Sequence, residues 1–527
     1  MQRCMVAVCW GGQVPFRVPV ATATLYVCDV KVIETILVED FSFFKDRWVK
    51  FKNPLVDSLT FGKGEEWRER RLRIAPAFGP GKVRGMFQQI FGATDGILKE
   101  IEDQNAREEC IEIENLANQF SIDVMSSCLF GVNMLHSREA ILIKKALDEM
   151  YVVSKSHPII TMIGLKYPKI FDFLYMIKGY RDAIISYVNV INDIIQFRAT
   201  NKTKRNDILQ VMLDLEDQDE EISENVNKSK AEQTNENNAT VTSQKSKHIF
   251  SHELIAATIH NFYHAGIKPT AVTIMFALYE IARHPEIQDN LVEEVKSSLT
   301  KYKGWNPCAL EHMTYLDQVI QETLRLYSFN ISLSRVLTKP YTLPGTNVTL
   351  DEGMNVFVPI DAIHRDPEFY PEPEKFRPER FDGHHYKPTS TFLPFGQGPR
   401  ICVAIRMAVT TVKLCLARIL AQYQVKIADK MQLPLELIPS EFYPRPKGGM
   451  WLQFVPRENV TQVQTLIPEA TVLSRLPGQR QRQRHLGEGE REREHYSVLF
   501  LFVCLSVHLS RLARETNVAA LCAAPVL

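Results

Sequence analysis

The stretch TFLPFGQGPRICVAIRMAV, residues 391–409, sets one cysteine, Cys402, behind two glycines and an arginine and ahead of a long apolar pattern. A buried filler cysteine needs no such approach, whereas a metal-binding thiolate does. It must be ionised, shielded from water and held by donors that tune it. Gly396 and Gly398 let the backbone turn tightly enough to bring N–H groups toward sulfur. The start of the next helix adds partial positive charge beside Cys402. Phe395 opens the loop, and Arg400 has the reach to hold an anionic cofactor edge.

Other segments carry residues spaced as partners. In QETLRLY, Glu322 and Arg325 lie three apart and share one helix face. FRPERF supplies Arg380, EEWRERR places Trp67 and Arg71 one turn apart, and SLSRVL carries Arg335.

In this order along the chain, these segments resemble the cytochrome P-450 family. FGQGPRIC is similar to its haem-binding loop, F-x-x-G-x-R-x-C-x-G, with Ala404 in place of the last glycine. QETLRLY and FRPERF resemble its E-x-x-R and P-E-R-F segments, and EEWRERR the W-x-x-x-R of its C helix. AIHRDPEFY, with His364, Arg365 and Asp366, resembles a further family segment. The resemblance spans residues 29–456, about four fifths of the chain. It is nearest the microsomal branch that holds drug- and steroid-oxidising enzymes and thromboxane A synthase.

The resemblance implies a cytochrome P-450 fold, mainly α with small β-sheets and a long central helix over the haem. It makes Cys402 the axial ligand to the iron of haem b. Trp67, Arg71, Arg335, Phe395 and Arg400 become cofactor-binding residues, and Glu322, Arg325 and Arg380 a structural triad. It implies a monooxygenase that takes electrons from NADPH through a reductase partner and acts on a lipophilic steroid, fatty acid or xenobiotic. Peripheral membrane contact at the cytosolic face of the endoplasmic reticulum follows from the same resemblance.

One segment departs. The family's oxygen-activation motif is A-G-x-[D/E]-T-T, and this chain reads AGIKPTA. Ala265 and Gly266 match. Lys268 takes the acid position, Pro269 the first threonine and Thr270 the second. Ala265, Gly266 and Thr270 are the catalytic candidates this leaves. Proline has no N–H, so the carbonyl of Ala265, four residues back, loses its helical partner. An acid and an alcohol deliver protons in a monooxygenase, and losing both weakens that step. Two alternatives therefore stand beside it: an endoperoxide isomerase resembling thromboxane A synthase, and a non-catalytic haem-binding relic.

The elements that must position these residues are mostly helical. Apolar residues recur three and four apart in GEEWRERRLRIAPAF, ATDGILKEIEDQ and FSIDVMSSCLFG. The spacing predicts long helices over 252–283 and 313–327, and one from Cys402 to about 423. YTLPGTNVTLDEGMNVFVPIDAI alternates around turn residues, which indicates short strands and a hairpin. Residues 216–247 are polar and lack aromatics, as a disordered loop inside the domain would be.

These patterns place a catalytic domain over 29–460. Residues 1–28 form an atypical N-terminus whose apolar run breaks at Trp10, short of the roughly 20 residues a spanning helix needs. No anchor or proline-rich hinge is visible there, and 461–527 read as an appended low-complexity tail. Lys plus Arg and Asp plus Glu each number 62 in the 527-residue chain, which argues against nucleic acid as a partner. Ten cysteines without a CxxC pair argue against a disulfide scaffold or a zinc site.

Overall fold

The computed structural model describes residues 7–8, 24–47, 59–60, 62–131, 178–218, 251–384, 386–387, 389–438 and 443–457. The expected tail, and most of the expected loop at 216–247, lie outside them; residues 208–218 are helical.

Besides the helical residues 208–218, the long helices among the described residues are α1 (Gly64–Ile74), α2 (Phe87–Asn105), α3 (Ile113–Phe130), α4 (Lys178–Asn201), α5 (His252–Arg283), α6 (Pro285–Tyr302), α7 (Thr314–Leu326) and α8 (Ile405–Gln422). Helix α2 shows why they pack. It buries Phe87, Ile90, Phe91, Thr94, Ile97, Leu98 and Ile101, a stripe repeating every three to four residues. Helix α5 is different, for residues 270–281 are buried all round. It starts where the Ser251 hydroxyl accepts the N–H of Leu254. From there it runs through the core against α3, α7 and α8.

Among the described residues there are also three small sheets. Strands β1 (Ala7–Val8), β2 (Thr24–Tyr26), β4 (Leu333–Val336) and β7 (Asn355–Val358) form one sheet in the order β1-β2-β7-β4. The β2–β7 pair is parallel and pairs Leu25 with Val356. Both side chains are fully buried, so the sheet reaches back before the boundary at residue 29 that the sequence suggested. Strands β3 (Ile111–Glu112), β8 (Tyr423–Ile427) and β9 (Trp451–Pro456) form the second sheet. The hairpin β5 (Tyr341–Thr342) and β6 (Thr349–Leu350) forms the third. The architecture is mainly α with small β-sheets, as the patterns indicated.

Candidate active site

The loop to Cys402 is one that only glycine can make at two points. Gly396 and Gly398 have φ of 76° and 74°, the left-handed region where a Cβ is strained. A Cβ on Gly398 would also lie 1.9 Å from the carbonyl oxygen of Leu37. The N–H of Cys402 donates to the carbonyl of Phe395 at 2.9 Å. The N–H of Ala404 donates to the sulfur. Ala404 has φ −102°, which any L residue adopts, so alanine here adds no backbone strain.

Burial raises the Cys402 thiol above its ordinary value. The Ala404 N–H, Arg71 and Arg47 pull the other way. Cys402 is nevertheless exposed, although Arg400 and Met407 on either side of it are buried. The thiol is crowded by protein yet open on one side.

Four guanidinium groups gather about this loop. Arg400 donates to the carbonyls of Lys45 and Gly62 at 2.5 and 2.7 Å. Its guanidinium lies 3.9 Å from the ring centre of Trp67, which is itself buried. Arg335 donates one bond, to the carbonyl of Ser334 at 2.8 Å. Its Nε is buried without a partner. Burial and the like charges of Arg47 and Arg400 push Arg335 far below its ordinary value. Burial, Arg47 and Arg71 push Arg400 down to about 9, with Asp46 opposing from 3.9 Å. Burial pushes Arg47 down to about 10, against the pull of Cys402 and with help from Arg71. Burial also lowers Arg71, and Cys402 opposes it.

Like charges crowded together, one with an orphaned buried N–H, mark a site shaped for an anion. The two propionates of a haem answer that requirement, and the open thiol answers the requirement of its iron. Arg47 is the residue that spacing did not reveal. It lies in FFKDRWVKF, which carries no motif. The bonds from Val336 N–H to the Asp46 carbonyl and from Thr338 N–H to the Phe43 carbonyl, each 2.8 Å, carry it beside Arg335.

A second cluster joins α7 to the segment before the Cys402 loop. Glu322 and Arg325 are fully buried and make two bonds, of 2.7 and 2.8 Å. Arg380 Nε donates to Glu322 Oε1 at 3.1 Å, and the backbone N–H of Arg377 donates to the same oxygen at 2.9 Å. Arg325 also donates to the His364 carbonyl at 2.8 Å and faces the ring of Tyr370. The three charged residues that the resemblance joined therefore meet in one buried cluster.

The family model for cytochrome P450 matches residues 12–452. Probable cytochrome P450 6a14 of Drosophila melanogaster is 31% identical over 444 residues, 82% of this chain and 84% of the relative. Cytochrome P450 6a2 of the same species is 30% identical, covering 81% and 83%. Cytochrome P450 6B7 of Helicoverpa armigera is 28% identical, covering 84% of each. The chain belongs to the cytochrome P450 family. It is accordingly a haem-dependent monooxygenase, of a family whose microsomal members take electrons from NADPH through a reductase.

Helix α5 of this P450 continues through Pro269 without interruption. Ala265 is exposed in mid-helix and Pro269 is half-buried one turn on, so one face of α5 is open here. Gly266 points elsewhere: a Cβ there would lie 2.3 Å from Met125 Sδ, so this glycine admits the close approach of α3. Thr270 is buried and turned about 100° around the helix from Pro269.

Lys268 is buried and paired. Its Nζ stands 3.3 Å from Glu114 Oε1 at the start of α3, and 5.4 Å from the ring centre of Tyr443. Glu114 Oε2 accepts from Arg445 Nε at 2.9 Å. Pairing rather than solvation thus satisfies the cation at the motif's acid position. Glu114 is the second residue missed from sequence, since IENLANQF carries no signal of a partner 154 positions away. Among the described residues no helix is long and apolar enough to cross a membrane.

Proposed function

We propose that this P450 inserts one oxygen atom from dioxygen into a lipophilic small molecule. It would take electrons from a reductase at the cytosolic face of the endoplasmic reticulum. Cys402 would supply the thiolate that holds the haem iron. Arg47, Arg71, Arg335 and Arg400, with Trp67, would hold the haem propionates. The observation that carries this reading is the guanidinium cluster about an open thiol, with the Arg335 Nε orphaned.

Bound haem supplies the activation of dioxygen. The chain's own residues hold and shield. Ala404 N–H, Arg71 and Arg47 favour the ionised sulfur, against the larger opposing effect of burial. Phe395 closes the loop through its carbonyl. The open face at Ala265 and Pro269 is where substrate and water would reach the bound haem. Gly266 lets α3 pack closely. Thr270 is the nearest alcohol in sequence, and its burial leaves water to carry the proton across that face.

Reduced holoenzyme under carbon monoxide is expected to show the red-shifted thiolate Soret band, and Cys402→Ala to abolish it. Retention of the band in that variant would overturn the assignment. Reconstitution with reductase should then give NADPH-dependent oxidation of lipophilic compounds. Rearrangement of an endoperoxide without NADPH, and no NADPH-dependent product, would assign the site to an isomerase instead. Recovery of the expressed protein in the microsomal pellet tests the location.

A further inference from the structure

We propose that this chain carries a second ligand site, separate from the Cys402 loop, for a small organic cation that bears a carboxamide. The site is a cavity of about 920 Å³ between α2, α3 and the start of β9. Pockets for small molecules run to about 300–1,000 Å³. None of the lining residues belongs to the Cys402 loop or to the guanidinium cluster. The inference therefore stands apart from the reading above.

Asn118 of α3 is the first of two independent observations. It is 3% exposed, and neither the nitrogen nor the oxygen of its side-chain amide has a hydrogen-bond partner. Buried amides are ordinarily paired, because an unpaired one loses its water and gains nothing. Asn115, Gln119 and Ile122, its neighbours on one face of α3, line the cavity with it, so the amide stands on the cavity side. Its oxygen needs a donor and its nitrogen an acceptor, and a carboxamide offers both. The second observation is charge. Glu100, Glu108, Glu109, Glu112 and Asp123 line the cavity against one cation, Lys430. The Lys430 ammonium lies over the ring of Trp451, 3.2 Å from its centre. The acids are spread from α2 through the turn after it to α3. Among the described residues no three His, Cys, Asp or Glu side chains converge as metal ligands. An extended organic cation suits that spread, whereas a metal ion needs its oxygens gathered at one point. Ile97 and Leu116 add apolar wall for the carbon frame of the same ligand.

The test is isothermal titration calorimetry of holoenzyme at low ionic strength with three probes of similar shape. The first, 1-methylnicotinamide, has both charge and amide. The second, 1-methylpyridinium, has the charge alone, and benzamide has the amide alone. None offers a free ring nitrogen to iron. Wild type is expected to bind 1-methylnicotinamide about tenfold more tightly than either of the others. Asn118→Leu should bring it down to the level of 1-methylpyridinium and leave 1-methylpyridinium unchanged. Glu108 and Glu109 are exposed, so Glu108→Gln with Glu109→Gln should fold normally. That pair should weaken both cations severalfold and leave benzamide unchanged. The Soret band should keep its position throughout. No binding of 1-methylnicotinamide by wild type overturns the inference, as does equal binding of the two cations. A Soret shift on binding would put the cation at the haem and overturns it too. If Asn118→Leu fails to fold, the exposed pair of acids decides, and unchanged cation binding there overturns the inference.

Discussion

At the scale of single residues, Arg335 does something no ordinary core residue does. It is 2% exposed, its Nε has no acceptor, and the charges that act on it are those of Arg47 and Arg400. A buried cation left so destabilises the protein by itself and finds its counter-charge only in a ligand. Two opposite signs follow for Arg335→Met. Without haem the variant should be more stable than wild type, because repulsion and desolvation are both relieved. With haem it should hold the cofactor more weakly, by about 1.5–3 kcal/mol, the usual worth of a hydrogen bond to a charged group. Thermal unfolding of apoprotein and haem transfer to apomyoglobin measure the two. A variant that loses both stabilities would show Arg335 to be ordinary structure. Arg47→Ala should show the weaker haem retention with little change in the Soret position.

At the scale of elements, the contact of α5 with α3 changes how the departure at Lys268 and Pro269 should be reversed. Taken from sequence alone, Lys268→Glu with Pro269→Thr restores an acid and an alcohol. The structure sets Glu114 against position 268. The restored acid would meet a carboxylate where it needs a cation, inside the protein. Breaking a buried pair typically costs about 3–5 kcal/mol, so the double variant is expected to yield little folded holoenzyme. Adding Glu114→Gln removes the opposing carboxylate, leaves an amide oxygen to accept from Arg445, and should recover folding. The triple variant should then couple NADPH to product better than wild type and release less peroxide, since a proton donor returns beside the open face. Equal yields of double and triple variants would mean that Lys268 and Glu114 do not interact in solution.

At the scale of the whole molecule, the Glu322 cluster joins helix α7 to the segment that leads into the Cys402 loop. It binds through side chains and through the backbone of Arg377 and His364. Glu322→Ala leaves two arginines facing each other without their acid and should cost about 3–5 kcal/mol, read by urea unfolding of holoenzyme. Unchanged stability would mean the cluster contributes nothing. His364 lies against the same cluster, fully buried, with Nε2 accepting the Leu393 N–H at 2.9 Å. Burial holds it neutral and pushes it down to about 3. In the unfolded chain it takes a proton near pH 6.5. Unfolding therefore binds a proton between those values. The stability is complete above pH 6.5 and falls as pH drops toward 3, by about 1.4 kcal/mol per unit at most. His364→Gln should flatten that part of the stability–pH curve; an unchanged slope would place the acid sensitivity elsewhere.

The sequence by itself determined the helical architecture, because core burial imposes a repeat that is local and therefore written along the chain. Helix α5 was legible over residues 252–283 and is His252–Arg283 in the fold. It also determined the Cys402 loop, since left-handed turns demand glycine at Gly396 and Gly398. Membership of the cytochrome P450 family was legible in the same segments. What only the tertiary structure decided is pairing across distance. Arg47 reaches Arg335 through a bridge between residues 46 and 336. Glu114 meets Lys268 across two helices, and Gly266 serves that helix contact. Residues at such separations leave no period in the chain. Their charges come together only when two apolar faces have already packed, and so the chemistry of the distal side is settled by packing that no single segment encodes.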